Sequence, residues 1–231
     1  MIKLILKYII YFITSKNQHY IHGPFIFDFI TKILYIKNKH KHCNDIEELR
    51  KNLCKSEKVI SIIDFGAGSK INPSNNRKVK DIAKYSAKKP KFGRLFYRIV
   101  KFYKPGKILE LGTSLGISTA YLAKGNLEGK VYTFEGCPST LEIAKRNLKN
   151  LKLTNIEYIL GDFQHSLNKS LKKIKDIDLV FIDGNHQKKP TIEYFKTCLH
   201  YSHNKTIFIF DDIYWSKGMQ EAWKYIKEHP K

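Results

Sequence analysis

The sequence predicts an α/β fold: a doubly wound, mostly parallel sheet preceded by a mostly helical N-terminal segment. Three observations carry that expectation. From Lys107 onward, five β-rich runs (KILELG, KVYTFEG, IEYILGD, IDLVFIDG and TIFIFDD) alternate with helix-like stretches. The last two runs are almost continuously apolar, as strands buried on both faces are. Alternation of this length implies right-handed crossovers and a parallel sheet. The change of rhythm puts a boundary near Pro90, with a helical cap or lid segment over 1–90 and the α/β domain over 91–231.

The front segment opens on MIKLILKYIIYFITS, apolar but short and interrupted by Lys3 and Lys7. A spanning helix needs about 20 mostly apolar residues, and a signal peptide needs a small-residue cleavage site that is missing here. Lys3 and Lys7 share one helical face while Ile2, Ile5, Ile9 and Ile13 share another. That pattern suits a helix packed on the rest of the protein, with an in-plane helix making peripheral membrane contact as the alternative. NQHYIHGPF follows as a loop, in which His19, His22, Pro24 and Phe25 form either an interhelical turn or part of a helical lid. IFDFITKILYI is a second helix-like run. Residues 37–58 are polar with an amphipathic fragment around Asp45–Leu53. VISIIDFGAGS reads as a short buried strand ending in a glycine turn, and helical material runs on to Tyr103 after the polar INPSNNRK stretch. The helix-like stretches of the rear domain are ISTAYLAKG, PSTLEIAKRNLKNLK, QHSLNKSLKKI, TIEYFKTCLHYS and SKGMQEAWKYIKEH.

Composition narrows the class. The chain has 231 residues, is 42% hydrophobic and holds 14 Phe and 14 Tyr, enough to bury a core and to exclude a disordered chain. The four cysteines, Cys43, Cys54, Cys137 and Cys198, lack metal-finger spacing and read as free thiols of a reducing, cytoplasmic compartment. The net charge is +21, and residues 1–105 carry 23 Lys and Arg against 7 Asp and Glu. This excess reads as a solvated lysine-rich surface, or else as an anionic-polymer surface.

In an open α/β sheet the ligand lies beyond the carboxyl ends of the strands. The first strand–helix turn of the rear domain is Glu110-Leu111-Gly112-Thr113-Ser114-Leu115-Gly116. Gly112 permits a tight turn, and Gly116 lets backbone approach a ligand where the helix begins. Ser114 breaks the three-glycine dinucleotide pattern. Glu110 would repel a pyrophosphate but suits an ammonium or sulfonium. Glu135 ends the next strand 23 residues beyond Gly112, near the spacing at which an acid reaches a ribose diol. Two such acids suit a nucleoside with a cationic tail. Asp64-Phe65-Gly66-Ala67-Gly68-Ser69 is a rival turn, but Pro73 and several Asn follow it, and no acid-terminated strand lies about 20 residues on. It is therefore expected to be a structural turn of the front segment, or failing that a lid on the active site.

These residues resemble the class I S-adenosylmethionine-dependent methyltransferases, whose fold is Rossmann-like. The resemblance covers roughly Lys107 to Trp215. It implies a cofactor site for S-adenosyl-L-methionine made by Glu110, Gly112, Thr113, Ser114, Gly116, Glu135, Gly136, Asp162 and Asp183. Glu135 stands as the ribose acid and Asp162 as the acid at the adenine end.

The fourth strand run ends at Ile182-Asp183-Gly184-Asn185-His186 and the fifth at Phe210-Asp211-Asp212. Three carboxylates on one rim repel one another unless protonated or bridged by a cation, and oxygen ligands suit Mg²⁺. The arrangement is similar to that of the metal-dependent catechol-type O-methyltransferases. By that likeness Asp183, Asp211 and Asp212 hold the metal, Asp183 and His186 are catalytic, and His186 stands where the family has a basic lysine. Tyr214 and Trp215 could wall a planar acceptor, and Trp223 belongs to the core.

The family's C-terminal strand hairpin has no counterpart in this sequence. The fifth strand is therefore expected at an open edge, which a homodimer partner could cover, the alternative being a truncated or degenerate chain. The activity implied is metal-assisted O-methylation of a small-molecule acceptor. The alternatives are methylation of RNA or another anionic polymer, and a non-catalytic cofactor-binding relic. The IDGNH strand end, in place of the Asn/Asp-Pro-Pro motif of base-amine methylases, speaks against nucleic acid.

Overall fold

A computed structural model describes residues 5–6, 8–9, 12–13, 23–36, 41–63, 65–66 and 74–230. The chain forms two compact units, 1–39 and 40–231. The compact units part well before the boundary expected near Pro90, and the α/β repeat sets in at Lys107.

In the first unit, the described residues between 5 and 13 are helical. A short helix at Pro24–Asp28 runs on into π-helical Phe29–Leu34. Pro24 suits a first-turn position because its missing N–H is not needed there, and Lys32 pairs with Asp28 one turn earlier. Ile5, Ile9 and Ile13, expected to be a buried face, are exposed. Ile2, Lys3, Lys7, His19 and His22 lie outside the described residues. Among the described residues no helix is long and apolar enough to cross a membrane.

The second unit begins with helix α1 (Asn44–Leu53) and a small antiparallel pair, β1 (Val59–Ser61) and β2 (Asn76–Lys78). The apolar VIS run is therefore half of a hairpin with alternating burial and not a fully buried strand. Its partner comes from the polar stretch that the sequence marks only as loop. Helix α2 (Pro90–Tyr103) starts at a proline in its first turn and ends at Lys104 in the left-handed conformation.

Five parallel strands follow: β3 (Lys107–Leu111), β4 (Lys130–Glu135), β5 (Ile156–Leu160), β6 (Ile177–Ile182) and β7 (Ser202–Phe210). They stand in the order β5-β4-β3-β6-β7. The crossovers are α3 (Ile117–Gly125), α4 (Pro138–Asn150), α5 (Phe163–Ile174) and α6 (Lys188–His200), and α7 (Lys217–Lys227) packs on α6. All five strand runs and their helices lie where the sequence puts them, within a few residues at the ends.

Strand alternation sorts the two faces. Leu109, Leu111, Val180 and Ile182 join Leu167 and Leu171 of α5 and Tyr194 of α6 in one core. The opposite face carries Ile108, Glu110 and Phe181. There Phe96 of α2 packs on Phe181 with ring centroids 4.7 Å apart, and Thr119 of α3 bonds to Glu110. Helix α1 is tied onto this side by Arg94–Glu47 and Lys124–Asp45 ion pairs. Trp223 of α7 is half-buried against Phe210 of β7. Order reversal occurs between β3 and β6, so the crevice sits at their carboxyl ends.

Candidate active site

A cavity of about 380 Å³ opens at that crevice, within the range of small-molecule sites. Ser114, Glu135, Asp162 and Asp183, from four different strand–helix junctions, all face it. Gly112, Gly136, His186, Asp212 and Trp215 line it as well. Tyr214, expected beside Trp215 as a wall, is exposed instead.

The first turn is held by backbone geometry. Gly112 has φ +111°, and a Cβ there would lie 2.3 Å from the Asp183 carbonyl oxygen, so only glycine lets β3 and β6 end this close together. Ser114 also takes a positive φ, 49°, and its N–H donates to Glu135 Oε2 at 2.7 Å. Glu135 Oε1 accepts from the Cys137 N–H at 2.9 Å. The acid at the end of β4 therefore cross-links two loops and keeps its remaining lone pairs for the cavity. Burial raises its carboxyl above the ordinary range, opposed by those backbone N–H groups. Asp162 caps α5 by accepting from the Gln164 N–H and pairs with His165 at 3.0 Å.

Three residues expected in the cofactor site stand apart from the cavity wall. Glu110 is fully buried on the α3 face, where Oε2 accepts from the hydroxyls of Thr119 and Thr133 at 2.5 and 2.7 Å. Burial pushes its carboxyl up to about 7, with the hydroxyls of Ser118, Thr119 and Thr133 pulling the other way. Thr113 is buried and its hydroxyl meets that of Thr133 at 2.6 Å. Gly116 faces α4: a Cβ there would stand 3.0 Å from Leu148 and 3.2 Å from Ala144. Its smallness serves helix packing in place of ligand approach.

The other half of the rim differs from expectation in its charges. Lys88, from the extended residues just before α2, places Nζ 2.9 Å from Asp183 Oδ2 and in contact with Asp211 Oδ2. Asp211 Oδ1 accepts the Asp212 N–H, as a turn cap does. His186 Nε2 lies 3.7 Å from Asp212 Oδ2. Asn185, His186 and Asp212 all have positive φ, 70°, 48° and 51°, a conformation costly for residues with a Cβ and concentrated here at the cavity rim. Burial raises the Asp183 carboxyl, and the Lys88 ammonium opposes the shift.

This geometry does not fit the expected metal centre. Asp211 is turned to Lys88, and an oxygen of Asp183 is shared with the same ammonium. The donors that do converge among the described residues are Asp183, His186 and Asp212, within 4.8 Å of one another. Adjacent ligands on Mg²⁺ stand about 3 Å apart, at bond lengths of about 2.1 Å. A divalent ion at Asp183 would also meet the ammonium, at about 4 kcal/mol of repulsion per unit of its charge at 4 Å and an effective dielectric of 20.

Two contributors have no counterpart among the expected site residues. Lys88 is 95 positions from Asp183, in an AKKP stretch with no motif to mark it. Phe65 of the DFGAGS turn covers the cavity: its ring is close enough to Gly136 that a Cβ there would lie 2.6 Å from Phe65 Cδ2. Asn185 Nδ2 donates to the Phe65 carbonyl at 3.3 Å. The expectation of a structural turn in the front segment is corrected for Phe65 and Gly66, which line the cavity. Asp64, Ala67, Gly68 and Ser69 lie outside the described residues.

The sheet order, the glycine turn and the convergent strand-end acids define a Rossmann-like fold of the methyltransferase type. Residues 109–213 match the family described as "Methyltransferase domain", and this part of the chain is similar to methyltransferase domains. A protein-L-isoaspartate O-methyltransferase from Pyrococcus horikoshii is 43% identical over 60 residues, covering 26% of this chain and 27% of that one. A catechol O-methyltransferase from Niastella koreensis is 28% identical over 127 residues, covering 54% and 57%. The chain thus spans between about a quarter and just over half of these relatives' lengths. A Bacillus cereus O-methyltransferase solved in complex with SAH superposes with a TM-score of 0.59 at 20% identity, over 88% of this chain and 85% of that one. At that identity it supports the fold.

Proposed function

We propose that this protein transfers a methyl group from S-adenosylmethionine to a hydroxyl oxygen of a small molecule. The observation that carries the reading is the convergence of Ser114, Glu135, Asp162 and Asp183 on one cavity. Oxygen is favoured as acceptor because both the isoaspartate and the catechol relatives are O-methyltransferases by name.

Glu135 offers its free lone pairs to the ribose diol, and Asp162, at the start of α5, faces the adenine end. Phe163 reaches in against Gly184, where a Cβ would lie 2.6 Å from its ring. The cofactor, when bound, supplies a methyl on a sulfonium that leaves as a neutral thioether while the acceptor oxygen's electron pair forms the new C–O bond. His186 Nε2 takes the hydroxyl proton, and Asp212 beside it steadies the imidazolium. Phe65 and Trp215 exclude water and flatten the space for a planar acceptor. Positioning of this kind contributes up to roughly 7–11 kcal/mol in favourable model systems.

Calorimetry on the full chain with S-adenosylmethionine, and separately with NAD, tests the reading. Saturable 1:1 uptake of the sulfonium with negligible NAD binding is expected. Equal or tighter NAD uptake would overturn it. Transfer of labelled methyl to RNA in preference to a panel of small hydroxylated acceptors would overturn the acceptor class alone.

A further inference from the structure

The rim of the cavity carries a cation of the chain's own. Asp183, Asp211 and Asp212 bring three carboxylates to the carboxyl ends of β6 and β7, and each has a nitrogen partner. Lys88 serves the first two, and His186 lies nearest the third. Lys88 is no solvated surface lysine: its side chain is only 14% exposed, and its ammonium stands 5.9 Å from the centroid of the Phe181 ring. Burying an ammonium is costly unless carboxylates compensate it, so the position is a built one. The backbone prepares it too. Its neighbours Ala87 and Lys89 are extended, and Pro90, which starts α2, keeps Lys89 out of the helix.

We propose that Lys88 is the resident cation of this site, standing where a divalent metal ion would otherwise bridge the strand-end carboxylates, and that the site works without such an ion. Within the methyl-transfer reading, on which the catalytic part of this inference rests, the ammonium supplies the positive charge beside the acceptor oxygen as it loses its proton. It is a single, fixed charge that no chelator can remove. Asp183 and Asp211 hold it in place and serve as its counter-ions. Asp212 is left to His186.

The test uses the full chain with S-adenosylhomocysteine present and Mn²⁺ as probe, free ion being read by electron paramagnetic resonance. Wild type is expected to take up no stoichiometric Mn²⁺ below about millimolar, the range of weak carboxylate sites. Lys88→Met removes the ammonium and leaves its carboxylates uncompensated, and is expected to bind Mn²⁺ at least about tenfold tighter than wild type. Lys88→Arg keeps the charge and should exclude the ion as wild type does. Should the methionine variant fail to fold, Lys88→Gln is read in its place. One equivalent of Mn²⁺ bound by wild type and lost in Asp183→Asn overturns the proposal. So does a folded Lys88→Met or Lys88→Gln that binds Mn²⁺ no better than wild type. S-adenosylmethionine calorimetry on the same samples keeps the two readings apart. If wild type fails to bind the sulfonium, the methyl-transfer reading falls, while the Mn²⁺ measurements still decide what Lys88 does.

Discussion

Glu110 and Glu135 look alike in the sequence and do opposite things in the structure. Both close a β-run beside a glycine turn, on neighbouring strands. Glu135 is the last residue of β4 and reaches the cavity. Glu110 is one residue short of the end of β3, opposite Thr133 in β4 and Phe181 in β6. It lies on the α3 face, below the end of the sheet, under the loop and apart from the cavity. Glu135 stands on the same face as Thr133, two residues farther along, level with Gly112, so two positions of depth separate an acid at the cavity from a buried structural acid. The acids that line the cavity from these strand ends are Glu135, Asp162 and Asp183, while Glu110 bonds to the Thr119 and Thr133 hydroxyls behind the turn.

The largest expected effect lies at Glu110. Its folded-state pKa, about 7, is above the ordinary value of 4.5. The folded protein therefore holds a proton there that the unfolded chain has already lost between those two pH values. Its contribution is fully favourable below pH 4.5, declines as pH rises through 7, and is a net cost above that. Glu110→Gln copies the protonated form, so the variant should lose this slope and be more stable than wild type above pH 7, by on the order of 3 kcal/mol. Urea melts at pH 5 and pH 8 measure it. An unchanged pH dependence would mean that the carboxyl stays ionised in its buried setting.

Next in size is Glu135. Glu135→Gln keeps the shape and one acceptor oxygen but removes the charge. Hydrogen bonds to a charged acceptor are worth about 1.5–3 kcal/mol, so S-adenosylmethionine affinity should fall about tenfold to a hundredfold. In the same calorimetry Glu110→Gln should leave affinity nearly unaltered. Equal losses in both variants would erase the distinction between them.

The five strands and four crossovers were legible because an apolar run bounded by glycine and acid leaves few alternatives in a parallel sheet. The positions of Glu135, Asp162 and Asp183 followed from the rule that ligands lie beyond strand ends. What escaped depended on atoms brought together from far apart. Glu110 is buried by its depth below the strand end, beneath Thr119 and Thr133, and a motif that spans the turn carries no information on that depth. Thr113 and Gly116 belong to a turn whose hydroxyl and packing partners, Thr133 and Leu148, come from β4 and α4. Lys88 is one of 42 lysines and arginines, and nothing local distinguishes it from a solvated one. The polar NRK run became β2 only because the VIS run needed an edge partner, a tertiary choice that strand propensity does not show.

The smallest expected effect separates backbone from side chain within the same loop. Ser114 sits at φ 49° and donates its N–H to Glu135. The left-handed conformation costs an ordinary residue about 1–2 kcal/mol, while glycine loses about 0.5–1 kcal/mol of additional chain entropy on folding. Ser114→Gly should therefore be neutral or up to about 1 kcal/mol stabilising. Because the N–H survives the substitution, S-adenosylmethionine affinity should change by less than about twofold. That outcome would show that the loop contributes through its main chain, with Glu135 holding it in place. A loss comparable to that of Glu135→Gln would instead assign a direct cofactor contact to the Ser114 hydroxyl, and the acid at the end of β4 would no longer be the principal determinant on that side of the cavity.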